Sequence, residues 1–180
     1  ATALQAIAEE FDVEADILYD GDIGHQENRA FVNLLGIELL SREEALDMGD
    51  YERFALVDNM KSDEGSVGMS VDILIDHYEP DEDLDAEFVD IRTNVSSTST
   101  ILTKYLQEFD LSPSETVATA LLYGIRAETL DFKRDTTPAD LTAAAYLHPF
   151  ANHDTLEQVE SPSMSPETLD VLAEAIQNRE

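Results

Sequence analysis

Val71-Asp-Ile-Leu-Ile75-Asp76-His77-Tyr78 decides how this chain is read. Residues 71–75 have the length and the β-branched, aliphatic composition of a buried strand, and the strand delivers an acid and a histidine at its carboxyl end. Upstream, Arg53-Phe-Ala-Leu-Val57 has the same character and delivers Asp58, and the intervening loop contains Gly65 and Gly68. Nearer the start, residues 3–11 carry Leu4, Ile7, Ala8 and Phe11 at helical spacing. A short strand at 15–19 follows, ending in the turn Asp20-Gly21-Asp22. A helix at 25–35 stopped by Gly36, a strand at 37–40 and a brief helix at 42–48 complete the amino-terminal part.

Beyond the signature, residues 79–85 form an acidic turn, 86–91 a further strand and 96–109 a helix with Ile101, Leu102, Tyr105 and Leu106 inward. From there the pattern is helical: 112–129, 138–147, 155–159 and 166–178. Ser112-Pro-Ser-Glu115, Thr137-Pro-Ala-Asp140 and Ser165-Pro-Glu167 are start signals. Strands alternating with helices predict an α/β fold, a mainly parallel sheet flanked by helices, with a helical C-terminal layer. Residues 1–130 are expected to form the α/β domain and residues 131–180 a helical extension that packs on it or leads to a further domain.

The 180 residues, 43% of them apolar, suffice for a real core. No apolar run approaches the roughly 20 residues of a membrane helix. Cysteine is absent, which excludes disulfides, thiolate zinc sites and a cysteine nucleophile, and leaves the redox compartment open. Acids outnumber bases 40 to 10, for a formal net charge of −30, and Lys61, Lys104 and Lys133 are the lysines. Because the acids are interleaved with periodic apolar residues, disorder is a poor explanation. Concentrated salt, with a Debye length of about 3 Å at 1 M, makes such self-repulsion tolerable. A cytoplasmic protein of a halophile is expected, with oligomerisation, most simply a homodimer, as the alternative. The negative field opposes a nonspecific grip on long nucleic acid, which needs Lys and Arg against phosphates.

In open α/β sheets the ligand crevice lies beyond the carboxyl ends of the strands, where Asp58, Asp76 and His77 are expected. Carboxylates with one imidazole suit Mn²⁺ or Mg²⁺ better than a soft ion. Taken singly, an Asp at a strand end is more often a turn or capping residue, and an Asp-His pair in an acidic protein is often surface. His25, Asn28 and Arg29 fit a pocket lining or a helix cap about equally. The hydroxyls of residues 96–100 fit a helix N-terminus offered to phosphate or a cap alone. His148 and His153 read as a helix-to-helix turn.

Ile73-Leu-Ile-Asp76-His77-Tyr78 resembles the strand and Asp-His-His signature of the DHH phosphoesterases, the superfamily of RecJ-type exonucleases, oligoribonucleases, exopolyphosphatases and manganese pyrophosphatases. Ala55-Leu-Val-Asp58, Val95-Ser-Ser-Thr-Ser-Thr-Ile-Leu102 and Leu121-Leu-Tyr-Gly-Ile-Arg-Ala-Glu-Thr129 resemble three further motifs of that family in the same order. Gly24-His-Gln-Glu-Asn-Arg-Ala-Phe-Val-Asn-Leu-Leu35 is similar to a stretch of microbial relatives. The resemblance, to a haloarchaeal-type member, covers nearly the whole chain.

It implies two Mn²⁺ or Mg²⁺ ions, with Asp58 bridging them, His77 and Glu128 as further metal ligands and Asp76 behind the imidazole. Tyr78 stands where relatives have a second histidine that contacts phosphate, and Glu128 stands where they have Asp. Ser97, Thr98, Arg126, His25 and Arg29 are the residues it offers for substrate binding. The family's first motif, a strand ending in Asp-x-Asp, belongs ahead of the helix at 3–11, and a C-terminal substrate domain usually follows. The expected activity is metal-dependent hydrolysis of phosphate esters in a small substrate: a short oligonucleotide, a nucleotide phosphate or a polyphosphate. Tyr78 and Glu128 keep open a degenerate regulatory module that binds nucleotide or metal, and an acidic scaffold with merely solvated carboxylates is a third alternative.

Overall fold

Strands form in the expected aliphatic runs, two of them reaching one residue past the expected end, and are shorter because only residues with a ladder partner join a sheet. In the computed structural model, residues 1–19, 23, 26–41, 43–45, 51–58, 71–79 and 86–160 are described. Of the run at 15–19 only β1 (Leu18–Tyr19) pairs, in parallel, with β2 (Leu40–Ser41). β3 (Ala55–Val57), β4 (Ile73–Asp76) and β5 (Phe88–Ile91) form a second parallel sheet with β4 in the middle. Central β4 buries Leu74, Ile75 and Asp76, whereas the first half of β5 is exposed, as suits an inner and an edge strand.

The helices are α1 (Thr2–Glu10), α2 (Gln26–Leu35), α3 (Thr98–Glu108), α4 (Glu115–Glu128), α5 (Pro138–Leu147) and α6 (His153–Glu160) among the described residues. Their starts obey capping chemistry. The Ser97 side chain accepts from the Ser99 N–H, Ser114 accepts from Val117, and Thr137 with Asp140 closes a reciprocal capping box behind Pro138. Gly36, at φ +60°, ends α2 in the left-handed region that glycine enters without penalty. The expected helices at 42–48, beyond residues 43–45, and at 166–178 lie outside the described residues.

α1, α3, α4, α5 and α6 share one core with β4. Ile7, Ile75, Ile101, Leu121, Ile125, Leu147 and Leu156 meet there, each buried. At about 1.5–3 kcal/mol for each large aliphatic side chain removed from water, this cluster is the main source of stability. α5 packs on both α3 and α4, so the helical C-terminal layer is continuous with the α/β core. No helix of the described residues is long and apolar enough to cross a membrane.

Gly124 explains how α4 reaches the first turn of α3. A Cβ there would lie 2.3 Å from Ser99 Oγ and 3.3 Å from Ser99 Cβ. A helical glycine costs about 1 kcal/mol in propensity, and here it allows a close approach that no larger residue permits. Glu128, one turn further on, shares that face of α4. Gly124→Val is expected to destabilise the protein by about 1–3 kcal/mol through overpacking, despite better helix propensity. Urea unfolding in molar salt measures this, and a neutral or stabilising result would show that the helices do not need the contact.

Candidate metal centre

Register builds the centre. Val57 pairs with Ile75, so one residue further along both strands Asp58 stands beside Asp76, and His77 follows at once. The Asp58 N–H still bonds to the Ile75 carbonyl at 3.1 Å while its φ of +59° turns the chain sharply off β3. Aspartate is among the few non-glycine residues that tolerate this conformation, so a strand-end acid does two jobs here. Asp76 Oδ1 accepts from the backbone N–H of His77 at 2.7 Å and of Tyr78 at 3.0 Å, which fixes the turn that presents the imidazole.

Thr98, in the first turn of α3, ties the strands together. Its hydroxyl donates to Asp58 Oδ1 at 2.8 Å and lies 2.9 Å from His77 Nδ1. An ionised carboxylate only accepts, so the hydroxyl hydrogen goes to Asp58 and the Thr98 oxygen accepts from His77 Nδ1–H. His77 Nδ1 is also 3.2 Å from Asp58 Oδ1 and 3.7 Å from Asp76 Oδ1. The ring is buried, and its Nε2 has no hydrogen-bond partner among the described residues. A buried polar nitrogen left so is costly, and in this tautomer its lone pair is free to accept a donor or to coordinate a cation.

Asp58, Asp76 and His77 each offer one ligand atom, all within 4.8 Å of one another. Asp76 and His77 are buried, whereas the Asp58 side chain is 52% exposed, so the centre opens to solvent on that side. Burial by itself would raise the Asp58 pKa. Hydrogen bonds from His77 and Thr98, the imidazole charge and the Ala1 amino group outweigh it and hold the carboxyl below its ordinary range. For His77 burial would lower the pKa, and the hydrogen bond and charge of Asp58, then the charges of Glu128 and Asp76, outweigh it and raise the pKa. Two carboxylates and an imidazole in an electronegative cleft suit a hard or intermediate divalent cation.

The other expected site residues fall into three groups. Glu128 is half-buried and its charge acts on His77, though it lies outside the close trio. Tyr78 is 41% exposed, with its ring 4.0 Å from that of His77, centroid to centroid. Ser97 and Thr98 are buried and their hydroxyls are engaged, Ser97 in capping α3 and Thr98 in holding Asp58 and His77. Arg126 is held by Asp131, with Nε and a terminal nitrogen both 3.0 Å from Oδ1, and exposed Arg29 donates to the Ile23 carbonyl at 3.2 Å. His25 lies outside the described residues. The Thr98 bridge was not visible in the sequence, where the hydroxyl run offered only a cap or a phosphate cradle.

Two solved structures share this arrangement of elements. An exopolyphosphatase-related protein from Bacteroides fragilis superposes with a TM-score of 0.62 at 14% identity, over 98% of this chain and 65% of that one. A protein of Methanococcus jannaschii, assigned as a family II inorganic pyrophosphatase, gives 0.57 at 16% identity, over 93% of this chain and 55% of its own. The fold is that of phosphatase-related proteins. In sequence, the chain is 43% identical over 180 residues to an uncharacterized protein of Methanocaldococcus jannaschii, and it spans 37% of that relative's length. No family model matches the chain.

A titration checks the electrostatics. In the metal-free protein His77 is expected to titrate above the ordinary value of about 6.5. Its pairing with Asp58 then contributes stability that is complete below the unfolded-state histidine value and is lost as pH rises through the raised folded one. The Asp58 half is complete above the ordinary carboxylate value and is lost as pH falls through the depressed one. Asp58→Asn leaves the burial and removes the partner, so the His77 midpoint should drop. An NMR titration with a wild-type midpoint at or below about 6.5 would contradict this geometry.

Proposed function

We propose that the chain is a metal-dependent phosphoesterase domain of the DHH type, acting on a small phosphorylated substrate. The observation that carries it is the buried His77, whose Nδ1 lies 3.2 and 3.7 Å from two strand-end carboxylates and whose Nε2 has no partner among the described residues, in a fold shared with phosphatase-related proteins. Asp58, His77 and Glu128 are the residues to hold Mn²⁺ or Mg²⁺, with Asp76 orienting His77 through the backbone turn. A bound divalent ion, or the pair of ions of the complete family site, supplies an activated water and neutralises charge on a phosphoryl group.

The protein's own groups set the rest. Thr98 holds Asp58 and His77 in one orientation and keeps the imidazole in the Nδ1–H tautomer, as outer-shell partners of metal ligands do. Exposed Tyr78, beside His77, donates a hydrogen bond to a phosphoryl oxygen without the positive charge of a histidine. The charge of −30 favours a small substrate over long nucleic acid and a salt-rich cytoplasm over a dilute one, and a homodimer stays open as the alternative. Tyr78 and Glu128, in place of His and Asp, favour a second reading, a nucleotide- or metal-binding regulatory module without turnover.

The test is Mn²⁺-dependent release of phosphate or mononucleotide from a panel of short oligonucleotides, nucleotide phosphates and polyphosphates, in molar salt. Wild type is expected to turn over at least one class, and His77→Ala to lose at least about 100-fold, as the loss of a metal ligand requires. A folded, Mn²⁺-loaded protein that turns over none of them is the regulatory module instead.

A further inference from the structure

We infer that Asp140 is a positioning residue for the metal centre, acting across the molecule on the first turn of α3 and so on Thr98. The inference rests on the metal-centre reading above. Asp140 is fully buried, and its carboxylate gathers more donors than a helix cap requires. Two come from its own capping box, the Thr137 N–H at 2.8 Å and the Thr137 hydroxyl at 2.7 Å. The others come from the start of α3 and the residue before its cap: the Thr100 hydroxyl at 2.6 Å, and the Ser96 N–H at 3.2 and 3.3 Å from the two oxygens.

Those donors straddle the residue that matters. The Ser96 N–H and the Thr100 hydroxyl both reach Asp140, whereas Thr98, midway between them in the chain, reaches Asp58 and His77. α3 already has its own cap in Ser97, so the hold on Ser96 and Thr100 fixes where the turn sits rather than whether it forms. Burial would raise the Asp140 pKa, but the Thr100, Thr137 and Ser96 donors outweigh it and lower the pKa, so the group stays an acceptor to all of them. A shift of this turn changes the distances from Thr98 to Asp58 and His77 with no change in the metal-binding residues.

A double-mutant cycle separates positioning from general loosening. Thr100→Val removes one donor to Asp140 and keeps the packing, so it avoids the risk that Asp140→Ala fails to fold. It is expected to weaken Mn²⁺ binding about tenfold in the wild-type background, the lower end for partners that orient metal ligands. In a Thr98→Val background the same change should cost no more than about twofold, because the route through Thr98 is gone. Thr100→Ser, which retains the hydroxyl, should restore binding. Equal losses in both backgrounds, or no loss in either, would overturn the proposal.

If wild type binds no Mn²⁺, the metal reading falls, and the metal-free protein then decides on Asp140. ¹⁵N NMR at a pH where the ring is neutral should show His77 leaving the Nδ1–H form in Thr100→Val, and an unchanged tautomer would overturn the positioning role.

Discussion

Two carboxylates side by side at the end of a parallel ladder are the constraint around which this molecule is arranged. The register that buries Leu74 and Ile75 also sets Asp58 beside Asp76, and like charges so placed repel unless something cationic or donating intervenes. The groups bonded to them supply that. Backbone N–H groups of His77 and Tyr78 point at Asp76, the Thr98 hydroxyl points at Asp58, and the imidazole lies between the two acids. The donors nonetheless leave His77 Nε2 unmatched, and Asp58 faces solvent on one side. A divalent cation bound there, as proposed, would complete both.

Distance along the chain separates what could be read in the sequence from what could not. Asp58, Asp76 and His77 were legible because each terminates a short aliphatic run, and strand ends are where open α/β sheets keep their ligands. The Thr98–Asp58 bond spans 40 residues and the Thr98–His77 contact 21, so no local pattern announces them. Thr137-Pro-Ala-Asp140 was legible as a helix start, and it is one, but its second attachment, to Ser96 and Thr100, depends on how α5 packs on α3. Gly124 entered only as part of the stretch 121–129, and the structure alone supplies the neighbour, Ser99, that a Cβ there would meet. Strand lengths were overestimated for the same reason, since an apolar run at 15–19 does not reveal that only Leu18 and Tyr19 find partners.

The acidic surface and the acidic site obey the same electrostatics at different depths. The chain carries 40 acids against 10 bases, and those that are exposed repel one another and are screened by salt. In the cleft the carboxylates are partly or wholly withdrawn from water and screen poorly, so their charge is available to raise His77 and to attract a cation.

The most direct measurement of the central claim is an anomalous-scattering map from crystals grown with Mn²⁺. The account predicts a peak within bonding distance of His77 and Asp58, with the Thr98 hydroxyl still between the carboxylate and Nδ1. A map with no peak at these strand ends, or with Mn²⁺ bound only to surface carboxylates while Nε2 stays without a partner, would contradict it.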